Sequence, residues 1–298
     1  MTILHIDTGR EMRGGQWQVL YLLRGLAEYG HNVRLLARAN SPLLQAAAAQ
    51  RIDVEPASFT RVFKAAHGAD LIHAHDARAH TLAVLTSKPV VVSRRVAFLV
   101  KQNIASRWKY SRPAHFIAVS QFVKHELVDA SVQPAKISVV YDGVPIHALE
   151  SAKQRTRIVA LDTEDPRKGK DTIERAAALA GVPVHFSNNL LRDFPQAALF
   201  VYITDLEGLG SAVLLAMANG VPVLASAVGG LPEIVEDGVT GLLTSNDPGA
   251  IARSIQHALA DHALTSRLAA RARARVEKEF SVERMVEETV RVYERVLR

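Results

Sequence analysis

The chain has 298 residues, 48% of them hydrophobic and 22% charged, and it contains no cysteine. These values are typical of a globular protein of about two domains, and they exclude long disorder, disulfide bonds, thiolate chemistry and cysteine-ligated metals. The formal net charge of +6 is compatible with a phosphorylated substrate, nucleic acid or an anionic membrane surface, and by itself it selects none of them.

The first half of the chain predicts short apolar strands that alternate with helices. A strand over residues 3–6 is followed by a loop with Gly14 and Gly15 and by a helix over residues 16–29. Strands and helices at this spacing indicate a parallel sheet that is covered on both faces. Further strands are predicted at residues 33–37, 70–75, 89–93, 115–119 and 137–141, and further helices at residues 41–50 and 121–129.

A second α/β series follows a polar stretch, which places a domain boundary near residues 146–156. The predicted domains are residues 1–148 and residues 149–280, with a helix over residues 281–298 that packs back toward the first domain. Two Rossmann-like domains facing each other would form an interdomain cleft, because ligands bind outside the carboxyl ends of parallel strands. The strands predicted in the second series are residues 158–161, 182–186, 199–203 and 222–225.

A glycine-rich turn follows the third of these strands. It reads Glu207-Gly208-Leu209-Gly210, and Ser211 is predicted to cap the next helix. Such a turn leaves backbone N–H groups at the positive end of a helix, where they can bind an anion, and its glycines let a ligand approach the backbone. A neighbouring carboxylate can accept hydrogen bonds from sugar hydroxyls. A second glycine pair opens the helix after the next strand, so the two turns together could hold a diphosphate and its sugar.

Residues 207–243 read EGLGSAVLLAMANGVPVLASAVGGLPEIVEDGVTGLL. The elements E-G-L-G, A-M-A, G-V-P-V, G-G-L-P-E-I-V, D-G and G-L-L resemble the signature of the family 4 retaining glycosyltransferases, which have the GT-B fold. The resemblance extends over most of the chain, through the glycine pair near the N-terminus, DLIHAH over residues 70–75, IAVS over residues 117–120 and RKGKD over residues 167–171. It implies a sugar transfer with retention from a nucleotide-sugar donor to a glycan or lipid-linked envelope saccharide, with no metal cofactor.

The resemblance also implies roles for individual residues. Lys168 would bind the donor diphosphate, and Arg94 or Arg95 would help to stabilise the leaving group. Glu207 would orient the donor sugar, and His75 would contact the sugar or the acceptor. The other positions that the resemblance places at the donor are Gly14, Gly15, Gly208, Leu209, Gly210, Ser211 and Leu215.

Several positions depart from the family pattern. Leu215 stands where a glutamate commonly binds the nucleotide ribose, and Asp162 stands where an arginine usually accompanies the phosphate-binding lysine. Ser93-Arg94-Arg95 replaces a Thr-x-His motif, and the stretch between Asp171 and Leu199 is shorter by about one strand–helix unit, which shortens the second domain. These departures leave open an alternative, in which the protein is a weakened or inactive glycosyltransferase-like binding or scaffold subunit of a polysaccharide assembly system.

Three other classes of protein fit less well. A sugar-nucleotide epimerase shares the architecture but not the signature of residues 207–243. A dinucleotide-dependent oxidoreductase would need G-x-G-x-x-G after the first strand, which is absent. Nucleic-acid binding has no motif beyond the positive charge. The sequence therefore predicts no nucleic-acid partner.

One basic segment remains open to interpretation. It contains Arg94, Arg95, Lys101, Arg107, Lys109 and Arg112, with Phe98, Trp108 and Tyr110 among them. It is either a solvated basic face or a surface that meets phosphates or an anionic membrane. No apolar run approaches the roughly 20 residues of a membrane span, and the first residues do not resemble a signal peptide. The expected location is the cytoplasm, with peripheral contact at the inner face of the membrane as an alternative.

Overall fold

The computed structural model describes residues 1–97, 103–149 and 155–298, so Phe98 and Lys101 of the basic segment lie outside the described residues. The chain divides into two compact α/β units. Unit 1 comprises Met1–Gly143 and Val282–Arg298, and unit 2 comprises Val144–Ser281. The prediction of two α/β domains with parallel sheets is confirmed.

Unit 1 is built on a seven-stranded parallel sheet with the order β3-β2-β1-β4-β5-β6-β7. Because β1, β4 and β5 are neighbours, the residues at their carboxyl ends come together at one edge of the sheet. Strand β3 was not predicted from the sequence, because it is a four-residue edge strand with no buried side chain. The strands are β1 (Thr2–Asp7), β2 (Asn32–Ala37), β3 (Asp53–Pro56), β4 (Leu71–Ala74), β5 (Val90–Arg94), β6 (His115–Ala118) and β7 (Ile137–Val139).

Helices follow most strands of unit 1, as parallel connections require. Several begin at a side-chain cap: Ser41, Asp76 and Ser120 each accept a hydrogen bond from a backbone N–H of the following turn. The helices are α1 (Gly14–Glu28), α2 (Pro42–Ala49), α3 (Phe59–His67), α4 (Ala77–Ala83), α5 (Ile104–Ser111) and α6 (Gln121–Asp129).

Unit 2 contains a five-stranded parallel sheet with the order β12-β11-β10-β8-β9. Its central strand, β10, is buried along most of its length and leads into the glycine-rich turn. The strands are β8 (Arg157–Leu161), β9 (Val184–Ser187), β10 (Ala197–Tyr202), β11 (Val223–Ser226) and β12 (Leu242–Thr244). The helices are α7 (Lys170–Ala180), α8 (Leu190–Asp193), α9 (Ser211–Ala218), α10 (Leu231–Ile234), α11 (Pro248–Ala260) and α12 (His262–Glu279).

The last helix, α13 (Val282–Leu297), belongs to unit 1 and packs on α1. Its buried side chains include Val286 and Tyr293, which join the core formed by α1 and the sheet. Gly25 of α1 permits this close approach, because a Cβ atom there would collide with the side chain of Val286. Among the described residues, no helix combines the length and apolar character needed to cross a bilayer.

Candidate functional site

Two turns of unit 2 bring the predicted phosphate lysine and sugar carboxylate together. Lys168 ends a short turn of 3-10 helix after β8, and Gly169 follows it with a φ of 61°. Glu207 lies in the loop after β10, the strand next to β8 in the sheet. The ammonium Nζ of Lys168 donates to Oε2 of Glu207 at 2.6 Å. The structure therefore brings together two residues that the family resemblance assigns separately to the diphosphate and to the sugar.

A third residue, which the sequence analysis did not select, completes this cluster. Tyr202 ends β10, and its hydroxyl donates to Oε2 of Glu207 at 2.5 Å while it accepts from Nζ of Lys168 at 2.9 Å. Burial and the neighbouring Glu207 raise the pKa of Tyr202 well above its usual value, so the phenol stays protonated. The side chains of Lys168 and Glu207 are 24% and 16% exposed, so both remain accessible to a ligand.

The glycine-rich turn is shaped by the second glycine pair. Gly230 donates its backbone N–H to the carbonyl oxygen of Glu207 at 3.0 Å. A Cβ atom on Gly229 or Gly230 would collide with the carbonyl oxygen of Glu207 or Gly208. The second pair is thus explained by backbone packing against the first turn. The other carboxylate oxygen of Glu207, Oε1, accepts a hydrogen bond from the N–H of Gly208 at 3.1 Å.

Helix α9 starts without a side-chain cap. The prediction of Ser211 as the cap is wrong: the N-cap residue is Gly210, with a φ of 107°, and Ser211 is the first helical residue. Any side chain at position 210 would be strained, because the φ of 107° favours glycine and a Cβ atom would lie 2.6 Å from Cδ2 of Leu231. Within the described residues, no side chain caps α9, so its first N–H groups stay available to an anion.

Two of the predicted donor positions contribute differently from expectation. The side chain of Leu209 is only 2% exposed and belongs to the core, so this residue can offer a ligand only its backbone. Leu215 is half-buried in the second turn of α9, where an aliphatic side chain cannot hydrogen-bond a ribose. Asp162, the other departure from the family pattern, accepts from Nζ of Lys170 at 2.7 Å.

In unit 1, Arg95 is the centre of the polar residues at the carboxyl ends of β1, β4 and β5. Its Nε donates to Oδ1 of Asp142 at 3.1 Å, and its Nη1 donates to Nδ1 of His75 at 3.2 Å. The side chains of Arg95 and Asp142 are only 12% and 9% exposed. The guanidinium is therefore held in a fixed orientation by two partners.

The hydrogen bonds around Arg95 determine where the neighbouring histidines carry their protons. A guanidinium can only donate, so Nδ1 of His75 accepts and its Nε2 carries the hydrogen. That Nε2–H donates to Nδ1 of His5 at 3.0 Å, which places the hydrogen of His5 on Nε2. Burial, reinforced by Arg95, lowers the pKa of His5 to about 3, and burial lowers that of His75 well below 6.5. We call this neutral chain the Arg95–His75–His5 relay.

A third buried histidine lies beside the relay and raises the question of a metal. His73 contacts the hydroxyl of Tyr293 at 2.6 Å through Nδ1 and that of Ser93 at 2.7 Å through Nε2. Ring nitrogens of His5, His73 and His75 lie within 4.8 Å of one another. A metal on Nε2 of His75 would move the hydrogen to Nδ1, where it would face the N–H of Arg95. The geometry favours a hydrogen-bonded network over a metal centre.

The remaining predicted residues of unit 1 lie near the same sheet edge. Gly14 and Gly15 form the first turn of α1 rather than the loop before it. A Cβ atom on Gly15 would lie 3.8 Å from Cδ of Arg95, so the start of α1 runs beside that side chain. Arg94 ends β5 and donates from Nη1 to the hydroxyl of Tyr110 at 3.2 Å. Arg94 therefore turns toward α5, whereas Arg95 turns toward His75.

The residues that sequence reasoning missed share one signal. Tyr202 and His5 lie at or near the carboxyl ends of strands whose following loops were already selected. Side chains at the carboxyl ends of parallel strands converge, so these positions could have been chosen on that ground. Asp142 was not selected, because it lies in the loop after β7 and belongs to none of the motifs.

Two family profiles match the chain. The profile described as Glycosyltransferase Family 4 matches residues 12–148, and the profile described as Glycosyl transferases group 1 matches residues 184–275. Among curated proteins, the N-acetyl-alpha-D-glucosaminyl L-malate synthase of Bacillus anthracis is 32% identical over 112 residues, which cover 37% of this chain and 29% of that protein. The D-inositol 3-phosphate glycosyltransferase of Streptomyces avermitilis is 40% identical over 101 residues, which cover 34% and 22%. These matches span less than a third of either relative.

Solved structures match over the full length of the chain. Anabaena HepE in complex with UDP and glucose has a TM-score of 0.86 at 18% identity, and the match covers 99% of both chains. The sucrose-phosphate synthase of Thermosynechococcus elongatus has a TM-score of 0.79 at 22% identity and the same coverage. At these identities the likeness concerns the fold, and the prediction of the GT-B fold is confirmed. With both family profiles matched and this fold, the chain belongs to the family 4 glycosyltransferases.

Proposed function

We propose that the protein transfers a glycosyl unit from a nucleotide-sugar donor to an acceptor, without a metal cofactor. The observation that carries the proposal is the cluster of Lys168, Tyr202 and Glu207 beside the uncapped start of α9. An ammonium group and the N-terminus of a helix both attract phosphate, and a fixed carboxylate accepts hydrogen bonds from hydroxyls. The three features together suit a ligand that has a diphosphate at one end and a sugar at the other.

The cluster can stabilise the charge that develops during transfer. As the bond between the sugar and the diphosphate breaks, negative charge grows on the departing diphosphate, where Lys168 and the N–H groups of α9 would stabilise it. Glu207 is held at both oxygens: Oε2 accepts from Tyr202 and Lys168, and Oε1 accepts from the N–H of Gly208. Oε1 can accept a further hydrogen bond from a ligand. Glu207 would orient the sugar, and its negative charge would favour the cationic character of the sugar carbon.

Uridine diphosphate sugars are the first donors to test. The support is that the similar Anabaena HepE structures contain UDP, UDP with glucose, or UDP-glucose. Retention of configuration and a glycan or lipid-linked envelope saccharide as acceptor rest on the family resemblance. These two features are more specific than the proposed glycosyl transfer itself, and they are tested separately from it.

The role we propose for His75 is to position Arg95 rather than to contact the sugar. Both of its ring nitrogens are occupied, Nδ1 by Arg95 and Nε2 by His5. Its lowered pKa also keeps it neutral near pH 7, so it adds no positive charge of its own. Arg95, fixed by Asp142 and His75, is the residue of this group that we propose to meet an anionic or hydroxyl-bearing ligand.

The test is turnover of the donor. Purified protein is incubated with UDP-sugars and GDP-sugars, and release of the nucleoside diphosphate is followed with and without a membrane lipid extract as the acceptor source. We expect release from at least one donor, and a loss of release in Lys168→Ala and Glu207→Gln. Nuclear magnetic resonance of the product's anomeric proton then reports retention or inversion.

The alternative of a binding or scaffold subunit is favoured by two observations. Leu215 cannot hydrogen-bond a ribose, and Asp162 is paired with Lys170 where a phosphate-binding arginine is usual. A scaffold subunit would bind a nucleotide or nucleotide sugar without turning it over. Stabilisation by a nucleotide sugar together with no release from any donor would contradict the transferase proposal and support this alternative.

A further inference from the structure

The positive charge of the chain is concentrated in one segment of unit 1. Residues 77–125 contain nine lysine and arginine residues and no aspartate or glutamate. The other 249 residues contain 27 lysine and arginine residues and 30 acidic ones. The net positive charge of the protein therefore comes from this segment, which we call the acid-free segment.

Helix α5 lies in the acid-free segment and has no buried residue. Asn103 caps it by accepting a hydrogen bond from the N–H of Ser106 at 2.8 Å. Ile104 is 88% exposed and Trp108 is 46% exposed, and their spacing of four residues places them on the same face. This helix therefore presents an apolar face to the surroundings rather than to the core.

The opposite face of α5 fastens the helix to unit 1. Lys109 turns inward and donates from Nζ to the carbonyl oxygen of Ala77 at 2.6 Å, where burial lowers its pKa. The ring of Tyr110 stacks on that of Phe116, with centroids 5.7 Å apart. A helix held by these two contacts keeps Ile104 and Trp108 on its outer side.

Two arginines lie beside the outer face of α5. Arg107 and Arg112 are exposed, and Cζ of Arg112 lies 5.7 Å from the centroid of the Trp108 ring. Exposed arginine, tryptophan and isoleucine side chains together match the interfacial layer of a bilayer, where tryptophan sits at the headgroup level and basic residues meet anionic lipids. A polyanion in water would use the arginines but leave the isoleucine without a partner.

We propose that α5 docks unit 1 on the surface of a membrane that contains anionic phospholipid. In this arrangement Ile104 and Trp108 enter the interface, and Arg107 and Arg112 contact lipid phosphates. The inference goes beyond the proposed function, and it requires neither a nucleotide sugar nor turnover.

Vesicle sedimentation tests the proposal directly. The full-length protein is mixed with vesicles of phosphatidylcholine alone or of phosphatidylcholine with phosphatidylglycerol, at low salt and at ~0.15 M salt. We expect binding only to the vesicles with phosphatidylglycerol. Each arginine near the surface strengthens binding about fivefold, so Arg107→Gln with Arg112→Gln should weaken it roughly 25-fold. Ile104→Ser with Trp108→Ser should weaken it by about tenfold or more.

Matched variants elsewhere control for charge and hydrophobicity. Arg267→Gln with Arg271→Gln removes the same charge from exposed positions of α12, and Leu179→Ser removes an exposed aliphatic side chain from α7. We expect these variants to bind like the wild type. Circular dichroism confirms that each variant is folded. Equal binding by the α5 variants and the controls, or no binding of the wild type to anionic vesicles, would overturn the proposal.

Fluorescence distinguishes a membrane from a soluble polyanion. The chain has two tryptophans, so Trp17→Phe leaves Trp108 as the only one. Insertion predicts a blue shift on anionic vesicles and quenching by brominated acyl chains. A short single-stranded oligonucleotide is the comparison ligand. If it bound more tightly than the vesicles at equal salt, and Ile104→Ser with Trp108→Ser left vesicle binding unchanged, α5 would be a polyanion surface instead.

Discussion

At the scale of single residues, the candidate site depends on how neighbouring groups fix one another. Lys168 and Glu207 neutralise each other without a ligand, and Tyr202 joins them through its hydroxyl. In unit 1, Asp142 and His75 fix the guanidinium of Arg95 in the same way. In both places a charged group that would meet the ligand is oriented before the ligand arrives, which lowers the entropy cost of binding.

Substitution of Leu215 by glutamate tests the departure at the ribose position. Leu215 is half-buried, so a carboxylate there can reach solvent and the variant should fold. We expect Leu215→Glu to bind UDP about ten- to a hundredfold more tightly, because a hydrogen bond to a charged group contributes about 1.5–3 kcal/mol. Calorimetric titration measures the affinity, and Leu215→Gln is the uncharged control. A folded Leu215→Glu variant with unchanged affinity for UDP would contradict the prediction that position 215 lies at the nucleotide ribose. A strongly destabilised variant would place Leu215 in the core.

The Arg95–His75–His5 relay predicts which ring nitrogen of His75 carries the hydrogen. Nitrogen-15 nuclear magnetic resonance spectroscopy of the imidazole rings should show that His75 is neutral at pH 7 and carries its hydrogen on Nε2. His5→Leu should leave that Nε2–H buried without a partner, but it also removes the Nε2–H of His5, which is buried without a partner among the described residues. We therefore expect His5→Leu to change the free energy of unfolding little. An Nδ1–H tautomer of His75 in the wild type would contradict the relay.

At the scale of elements, the glycine-rich turn and the start of α10 are packed against each other. The turn places Glu207, and the second glycine pair allows the start of α10 to lie against the turn's backbone. The geometry of the site therefore depends on the second glycine pair as well as on Glu207.

We predict that Gly230→Ala destabilises unit 2 and disturbs the site. The new methyl group would collide with the carbonyl oxygen of Gly208, which is backbone and cannot rotate away. Overpacking of this kind costs about 1–3 kcal/mol. Gly68→Ala is the control, because a Cβ atom there meets nothing within 4 Å and the φ of −87° suits alanine. Thermal unfolding compares the two, and equal melting temperatures would show that the turn tolerates the shift.

The elements that could be predicted from sequence are those whose own residues define them. The buried strands of both sheets and the amphipathic helices α1 and α13 follow from apolar spacing. Strands β3 and β12 were missed because they are three or four residues long with few buried side chains. Ser211 was predicted to cap α9 because serine is a common cap, whereas the N-cap is Gly210, where the φ of 107° and the close approach to Leu231 of α10 favour glycine. Such tertiary contacts cannot be seen in a local pattern.

At the scale of the whole molecule, the two units differ in how acid should affect them. Burial lowers the pKa of six histidines of unit 1: to about 3 for His5 and His80, to about 4 for His115, well below 6.5 for His73 and His75, and below 6.5 for His31. In unit 2 the shifted acids are Asp193, bound by Arg192 and Ser187, and Asp165, whose pKa is lowered to about 2 by Arg167.

The direction of the pH effect follows from proton binding. Between pH 6.5 and about 4, the histidines of unit 1 bind protons in the unfolded state but not in the folded state. The free energy of unfolding of unit 1 therefore falls as the pH falls. Asp7, whose pKa is raised by burial, opposes this with a single group. The carboxylates of unit 2 lose their contribution only below pH 3.8.

Hydrogen exchange with mass spectrometry can follow both units in one sample as the pH is lowered. We expect amides of unit 1 to lose protection first, above pH ~4, while those of unit 2 remain protected. Loss of protection in unit 2 at a higher pH than in unit 1 would contradict this account.

Calorimetric titration of UDP is the most direct test of the central claim, which is that Lys168 and the turn of Glu207 bind the diphosphate of a nucleotide sugar. Lys168→Met removes the charge, and Lys170→Met removes the same charge from a neighbouring lysine that pairs with Asp162. We predict that the wild type binds UDP, that Lys168→Met weakens binding about ten- to a hundredfold, and that Lys170→Met changes it little. Failure of the wild type to bind UDP at millimolar concentration, or equal affinities for the two variants, would contradict the claim.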